Sequence, residues 1–155
     1  GALGLFRKPT EEEIARAENA MKELHCLHLR DRMLHSMSSG EQVKILIARA
    51  LLIQPELMIL DEPSVSLDIA GREFLLHTIE ELADTHPQLT IIFITQRIED
   101  ILGVFDEGMI LKSGNIMCRG HREDVLTEEN LSPIFDLPIK LIKNPSGRYW
   151  AILDR

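Results

Sequence analysis

The sequence predicts an α/β fold of parallel strands with flanking helices, followed by C-terminal β-hairpins. Three observations predict it. Residues 38–62 run from a capped helix start through a largely apolar helix into a short, wholly apolar strand that ends on two acids. Residues 70–95 repeat the order of helix then apolar strand, as βαβ units with parallel strands do. Beyond residue 108, two pairs of short apolar runs flank turn-forming residues, which is a hairpin pattern.

Each element has its own justification. Residues 1–9 read as a loop closed by Pro9. Thr10 with Glu13 forms a capping box, and Ile14, Ala17, Met21 and Leu24 follow at helical spacing, predicting a helix over 11–29. Arg7-Lys8 opposite Glu11-Glu12-Glu13 is a solvated face that favours the helix dipole. Residues 30–37 are polar and irregular. Ser38 precedes Glu41 and Ser39 precedes Gln42 by three residues, so either serine can cap a helix over 40–53. That helix is apolar almost all round and is expected inside, on a sheet. Gln54-Pro55 ends it. Residues 57–60 are expected as a central parallel strand covered on both faces. A helix over 70–83 turns Phe74, Leu75, Ile79 and Leu82 inward, and β-branched residues 90–95 form a second buried strand. A short helix over 97–102 comes next. Residues 109–112 and 116–119 flank Ser113-Gly114-Asn115. Residues 127–135 read as a short helix, and 139–143 with 148–152 flank Asn144-Pro145-Ser146-Gly147 as a terminal hairpin.

Composition bounds the function. The 155 residues, 45% hydrophobic, suffice for one domain with a real core. A net charge of -8 argues against a broad nucleic-acid surface, which needs clustered Lys and Arg. The longest apolar run, 45–53, contains Arg49 and is too short to span a bilayer. The first five residues lack the basic start and apolar core of a signal peptide. Cys26 and Cys118 stand in unrelated contexts, as reduced cytosolic thiols do. The initial Gly1 suggests a processed or excised chain.

Three places can carry chemistry. Ser38-Ser39-Gly40 opens a helix, where unpaired amides and the helix dipole favour an anion; the simpler reading is a well-capped helix. Asp61-Glu62 stand at the carboxyl end of an apolar strand, where open parallel sheets bind ligands. Asp61 suits a hydrated Mg²⁺ and Glu62 suits orienting and deprotonating water, although both also suit solvated acids or a helix cap. Gln96 follows the second strand; its amide can donate to a phosphate oxygen but cannot shuttle a proton. His25 and His28 are spaced for one helix face but have no further ligand nearby. No phosphate-cradling G-x-x-x-x-G-K-[ST] loop occurs, since Lys112-Ser113 follows Leu111 where that motif requires Gly.

Taken together these residues resemble the ABC-type ATPases, from about residue 5 to residue 131. Met37-Ser38-Ser39-Gly40-Glu41 resembles the LSGGQ signature, with Ser39 for a Gly and Glu41 for the Gln. Residues 57–62 resemble the Walker B strand with its catalytic Glu, and Val65-Ser66-Leu67-Asp68 the D-loop. Gln96 falls at the switch histidine, Ser113-Gly114-Asn115 at the following turn, and Asp124-Val125-Leu126 in a familiar helix. Residues 127–138 and the closing hairpin are similar to bacterial soluble ATP-binding proteins related to the molybdate-associated ATPases.

The resemblance implies a partial P-loop NTPase fold in three stretches. Residues 1–36 would be the remainder of a helical subdomain, 37–135 the core with signature, Walker B, D-loop and switch, and 136–155 a C-terminal hairpin extension. It further implies ATP and Mg²⁺ as cofactors. Ser38, Ser39, Gly40 and Glu41 would bind the γ-phosphate of a nucleotide held by a second ABC ATPase domain, in a homodimer or tandem copy joined head to tail. Asp61 would serve Mg²⁺ through water, Glu62 would be the base, Gln96 would contact the γ-phosphate, and Asp68 would lie at the domain interface. The complete protein would hydrolyse ATP to drive or regulate a transporter or other partner, in the cytoplasm or at the inner face of the membrane. The alternative is a non-transport switch or interaction module of the translation or repair type, with slow or absent hydrolysis. Lacking a Walker A loop, this chain alone is expected to be inactive, and no direct nucleic-acid contact is expected.

Overall fold

The computed structural model describes residues 8–154, so most of the predicted loop over 1–9, including Arg7, lies outside the described residues. The chain forms two compact units, residues 1–94 and 95–155, dividing inside the 37–135 stretch.

In the first unit, helix α1 (Glu11–Glu23) starts on the expected box: Thr10 Oγ1 accepts from the Glu13 amide at 3.2 Å and Glu13 Oε2 from the Thr10 amide at 2.8 Å. The helix stops six residues before the predicted end at residue 29. His25 takes a left-handed φ of 52°, the Cys26 amide donates back to Met21 O at 2.8 Å, and the His25 amide donates to Lys22 O at 3.0 Å. This is a Schellman ending, usually made with glycine but tolerable for histidine. His25 and His28 therefore do not share a helix face. No group of three or more His, Cys, Asp or Glu gathers to hold a metal ion among the described residues.

Helix α2 (Ser39–Leu51) is capped by Ser38. Its packing is one-sided, contrary to expectation: Ile47, Ala48 and Leu51 are buried, whereas Leu46 is 49% exposed. Strand β1 (Leu57–Asp61) pairs in parallel with β2 (Thr90–Ile94), with Ile59 opposite Ile92 and Asp61 opposite Ile94. Between them runs α3 (Ile69–Thr85), which buries Leu75, Leu76, Ile79 and Leu82. Phe74 of α3 lies beneath Lys44 of α2, whose Nζ is 3.1 Å from the ring centroid.

The strands are not covered on both faces. Side chains alternate across a sheet, and Met58 is buried, but Leu57, Ile59, Ile92 and Ile94 are 50, 57, 43 and 45% exposed. Among the described residues nothing covers that second face, and the sheet has two strands.

In the second unit, β3 (Glu107–Lys112) and β4 (Asn115–His121) form the predicted hairpin. Lys112 pairs with Asn115, so the loop is Ser113-Gly114, both at positive φ (51° and 78°), as a two-residue hairpin turn requires. The helix expected over 97–102 is a single 3₁₀ turn, Ile98–Asp100. Short α4 (Arg122–Val125) precedes α5 (Glu128–Phe135), capped by Thr127. The terminal hairpin joins β5 (Ile139–Lys143) to β6 (Tyr149–Leu153). Ile98, Leu126, Leu131, Ile139 and Tyr149 form the core of this unit. Among the described residues no helix is long and apolar enough to cross a membrane.

Candidate functional site

The N-terminal tip of α2 is built by its capping box. Ser38 Oγ accepts from the Glu41 amide at 3.3 Å, and Glu41 Oε2 accepts from the Ser38 amide at 2.8 Å. Ser38 is thus the cap and Ser39 the first helical residue. The first amides of a helix have no partner within it; those of Ser39 and Gly40 have none among the described residues. Two amides and a hydroxyl at the positive end of a helix fit an anion. The other carboxylate oxygen of Glu41 accepts from Arg32 Nη1 at 3.0 Å. The Ser38 amide, and after it Arg32, hold the Glu41 carboxyl below its ordinary pKa.

The tip of α3 meets the tip of α2. A methyl at Gly40 would lie 3.8 Å from Gly71 Cα and 3.9 Å from Leu67 Cδ2, which is ordinary contact. Gly71 is more constrained, since a methyl there would come within 2.9 Å of Asp68 Oδ1. That oxygen accepts from the Gly71 amide at 2.7 Å and caps α3. Asp68, expected at an interface, therefore has a structural duty as well.

Residues 62–67 link the end of β1 to this tip. Asp61 is exposed and closes the strand; Glu62 is half-buried. The Glu62 amide continues the parallel ladder by donating to Ile94 O at 2.9 Å. Its φ is nevertheless 48°, the left-handed region, directly before Pro63. A residue preceding proline is ordinarily pushed to extended backbone, so this conformation carries strain. Turns from Glu62 O to the Val65 amide (3.3 Å) and from Ser64 O to the Leu67 amide (3.1 Å) hold the loop around buried Ser64. A carboxylate pair at such a strand end fits a hydrated Mg²⁺.

The first unit thus brings together Ser38, Ser39, Gly40, Glu41 and Asp68, with Asp61 and Glu62 at the other end of the connecting loop. Gln96 belongs to the second unit, where it is exposed. Two residues of consequence escaped the sequence reading. Gly71 could have been found as a glycine three residues past a capping Asp, whereas Arg32 pairs with Glu41 through an irregular turn that no spacing rule encodes.

A model of the family described as ABC transporter matches residues 5–65. The chain is 38% identical over 143 residues to the Bacillus subtilis "Uncharacterized ABC transporter ATP-binding protein YlmA", covering 92% of this chain and 54% of that protein. It is 31% identical over 137 residues to the Haemophilus influenzae "Molybdate import ATP-binding protein MolC", covering 88% and 53%. Among solved structures, "An inward-facing conformation of a putative metal-chelate type ABC transporter" superposes with a TM-score of 0.83 at 27% identity, covering 98% of this chain and 62% of that one. The chain spans about half the length of the curated relatives it matches.

Proposed function

This chain belongs to the ABC-type ATPase family, and on that premise we propose that it supplies half of a composite ATP-hydrolysing site that drives a membrane transporter. ATP bound with Mg²⁺ supplies the phosphoanhydride that water cleaves to ADP and phosphate. Ser38 Oγ and the amides of Ser39 and Gly40 donate to the terminal phosphate of a nucleotide held by a second ABC domain. Asp61 holds Mg²⁺ through water. Glu62 orients the attacking water and takes its proton. Asp68 caps α3 and faces the second domain, which is a second copy or a tandem partner. Residues 1–36, 37–135 and 136–155 act as helical subdomain, core and extension. The relatives' names support a metal-containing cargo for the transporter.

The observation that supports this reading most is the left-handed backbone of Glu62 at the carboxyl end of a parallel strand. Strained backbone clusters at functional sites; Gln54 takes the same φ of 48° before Pro55, so it is the strain together with the place of Glu62 beside Asp61 at the strand end that supports the reading. Glu62→Gln, made in the full-length polypeptide carrying this chain, is expected to lower ATP turnover by roughly 10²–10⁴-fold, the scale of a lost general base. It is also expected to accumulate ATP-bound dimers by size exclusion. Unchanged turnover would overturn the reading.

Gln96 favours a second reading, a slowly hydrolysing switch. A neutral amide can hold a phosphate oxygen but cannot relay a proton. Gln96→His is expected to raise kcat by roughly 10²-fold, the low end of acid–base assistance; an unaltered rate discards the switch reading.

A further inference from the structure

We propose that Arg32 is a positioning residue for the anion site at the tip of α2: it neutralises Glu41 and thereby lets a carboxylate stand where a phosphate must approach. The inference rests on the reading of that tip as a nucleotide-phosphate site.

The problem it addresses is electrostatic. Glu41 is the third residue of α2, within one turn of the amides of Ser39 and Gly40. A carboxylate there suits the helix dipole, yet it repels an incoming anion across a few ångströms. The signature that this segment resembles carries a neutral Gln at that position, where this chain has Glu41. In the structure neither Glu41 oxygen faces the site uncompensated. Oε2 accepts from the Ser38 amide at 2.8 Å and Oε1 from Arg32 Nη1 at 3.0 Å.

Arg32 is itself anchored. Its Nη2 donates to Ser36 O at 2.6 Å, so the planar fork ties the turn before α2 to the first turn of the helix. Two neighbouring cations are engaged elsewhere. Arg30, on the same stretch, is committed to Glu18 at 2.6 Å, and Lys44 lies over the Phe74 ring. The lowered pKa of Glu41 agrees with this arrangement, with Arg32 and His28 adding to the Ser38 amide. The pair is partly exposed, 45% for Arg32 and 26% for Glu41, so its effect is open to screening by salt.

The test is steady-state ATPase kinetics in the full-length polypeptide. Arg32→Ala is expected to raise KM for MgATP by about tenfold, the size of one uncompensated charge at partly screened distance, with kcat moved less than about twofold. Raising the salt is expected to shrink that penalty, which a packing defect would not do. Combining Arg32→Ala with Glu41→Gln is expected to recover most of the affinity, because the repelling charge has gone with its partner. Arg32→Lys, which keeps the charge and gives up the fork, is expected to stay within about threefold of the parent KM. A KM unmoved by Arg32→Ala overturns the proposal. So does a double variant as impaired as the single one, since Arg32 would then act only through the Ser36 carbonyl. Glu62→Gln serves as the control: if it leaves turnover intact, the nucleotide reading itself has failed. If it abolishes turnover while the Arg32 variants misbehave, only the role of Arg32 has failed.

Discussion

Glu62 and Gly40 are two residues at which stability and function pull apart. Glu62 holds a left-handed φ of 48° ahead of a proline, a conformation that asparagine tolerates better than glutamate. Glu62→Asn is therefore expected to stabilise the fold by about 0.5–1 kcal/mol, raising Tm by about 2 °C, while removing turnover. A lowered Tm would mean that the carboxylate holds the loop rather than enduring it. Gly40 gives the complementary case. A methyl there meets only ordinary contacts at 3.8 and 3.9 Å, and alanine suits a helix better than glycine by roughly 0.5–1 kcal/mol. Gly40→Ala should melt no lower than the parent yet bind nucleotide phosphate less well, because the methyl occupies the space a phosphate needs. Equal loss of Tm and of ATP affinity would assign Gly40 to packing alone.

At the scale of the element, the start of α2 makes stability depend on pH in a defined direction. Glu41 has a folded pKa below its ordinary value, set first by the Ser38 amide and then by Arg32. A depressed acid contributes stability that is fully present above its unfolded pKa, about 4.3, and is lost as pH falls through the lower folded value. Glu41→Gln should therefore lose less stability than the parent between pH 6 and acid, measured by urea unfolding at each pH; parallel curves would deny the coupling. The boxes at Thr10 and Ser38 were legible in the sequence because a cap and its partner three residues on are local facts. So were the parallel strand pair and the acids at its end, marked by short apolar and β-branched runs, and both hairpins, marked by apolar runs flanking turn residues. The end of α1 was not legible, because its Schellman turn uses His25 where a glycine would have signalled it. The Arg32–Glu41 pair was hidden for a different reason. The partners stand nine positions apart across an irregular turn, and no periodicity carries across it.

Over the whole molecule, the open face of the β1–β2 pair is an apolar surface that bears on behaviour in solution. The sequence of β1 reads as a strand covered on both faces, and its residues are apolar on both faces. Yet Leu57, Ile59, Ile92 and Ile94 are about half exposed, with Ile59 opposite Ile92 in the parallel register. A strand pair alone is marginal in water, and a contiguous apolar patch of this kind drives association. The net charge of -8 opposes that association through like-charge repulsion. The two effects respond oppositely to salt: repulsion is screened within about 10 Å at 0.1 M, whereas burial of apolar surface is not weakened. The purified chain is therefore expected to self-associate increasingly with salt by light scattering. Replacing Ile59 and Ile92 by Thr keeps the β-branch and removes apolar surface, so the double variant should scatter as a monomer under the same conditions. If the parent chain stays monodisperse in high salt, or if the double variant associates equally, the sheet face is not what brings the molecules together.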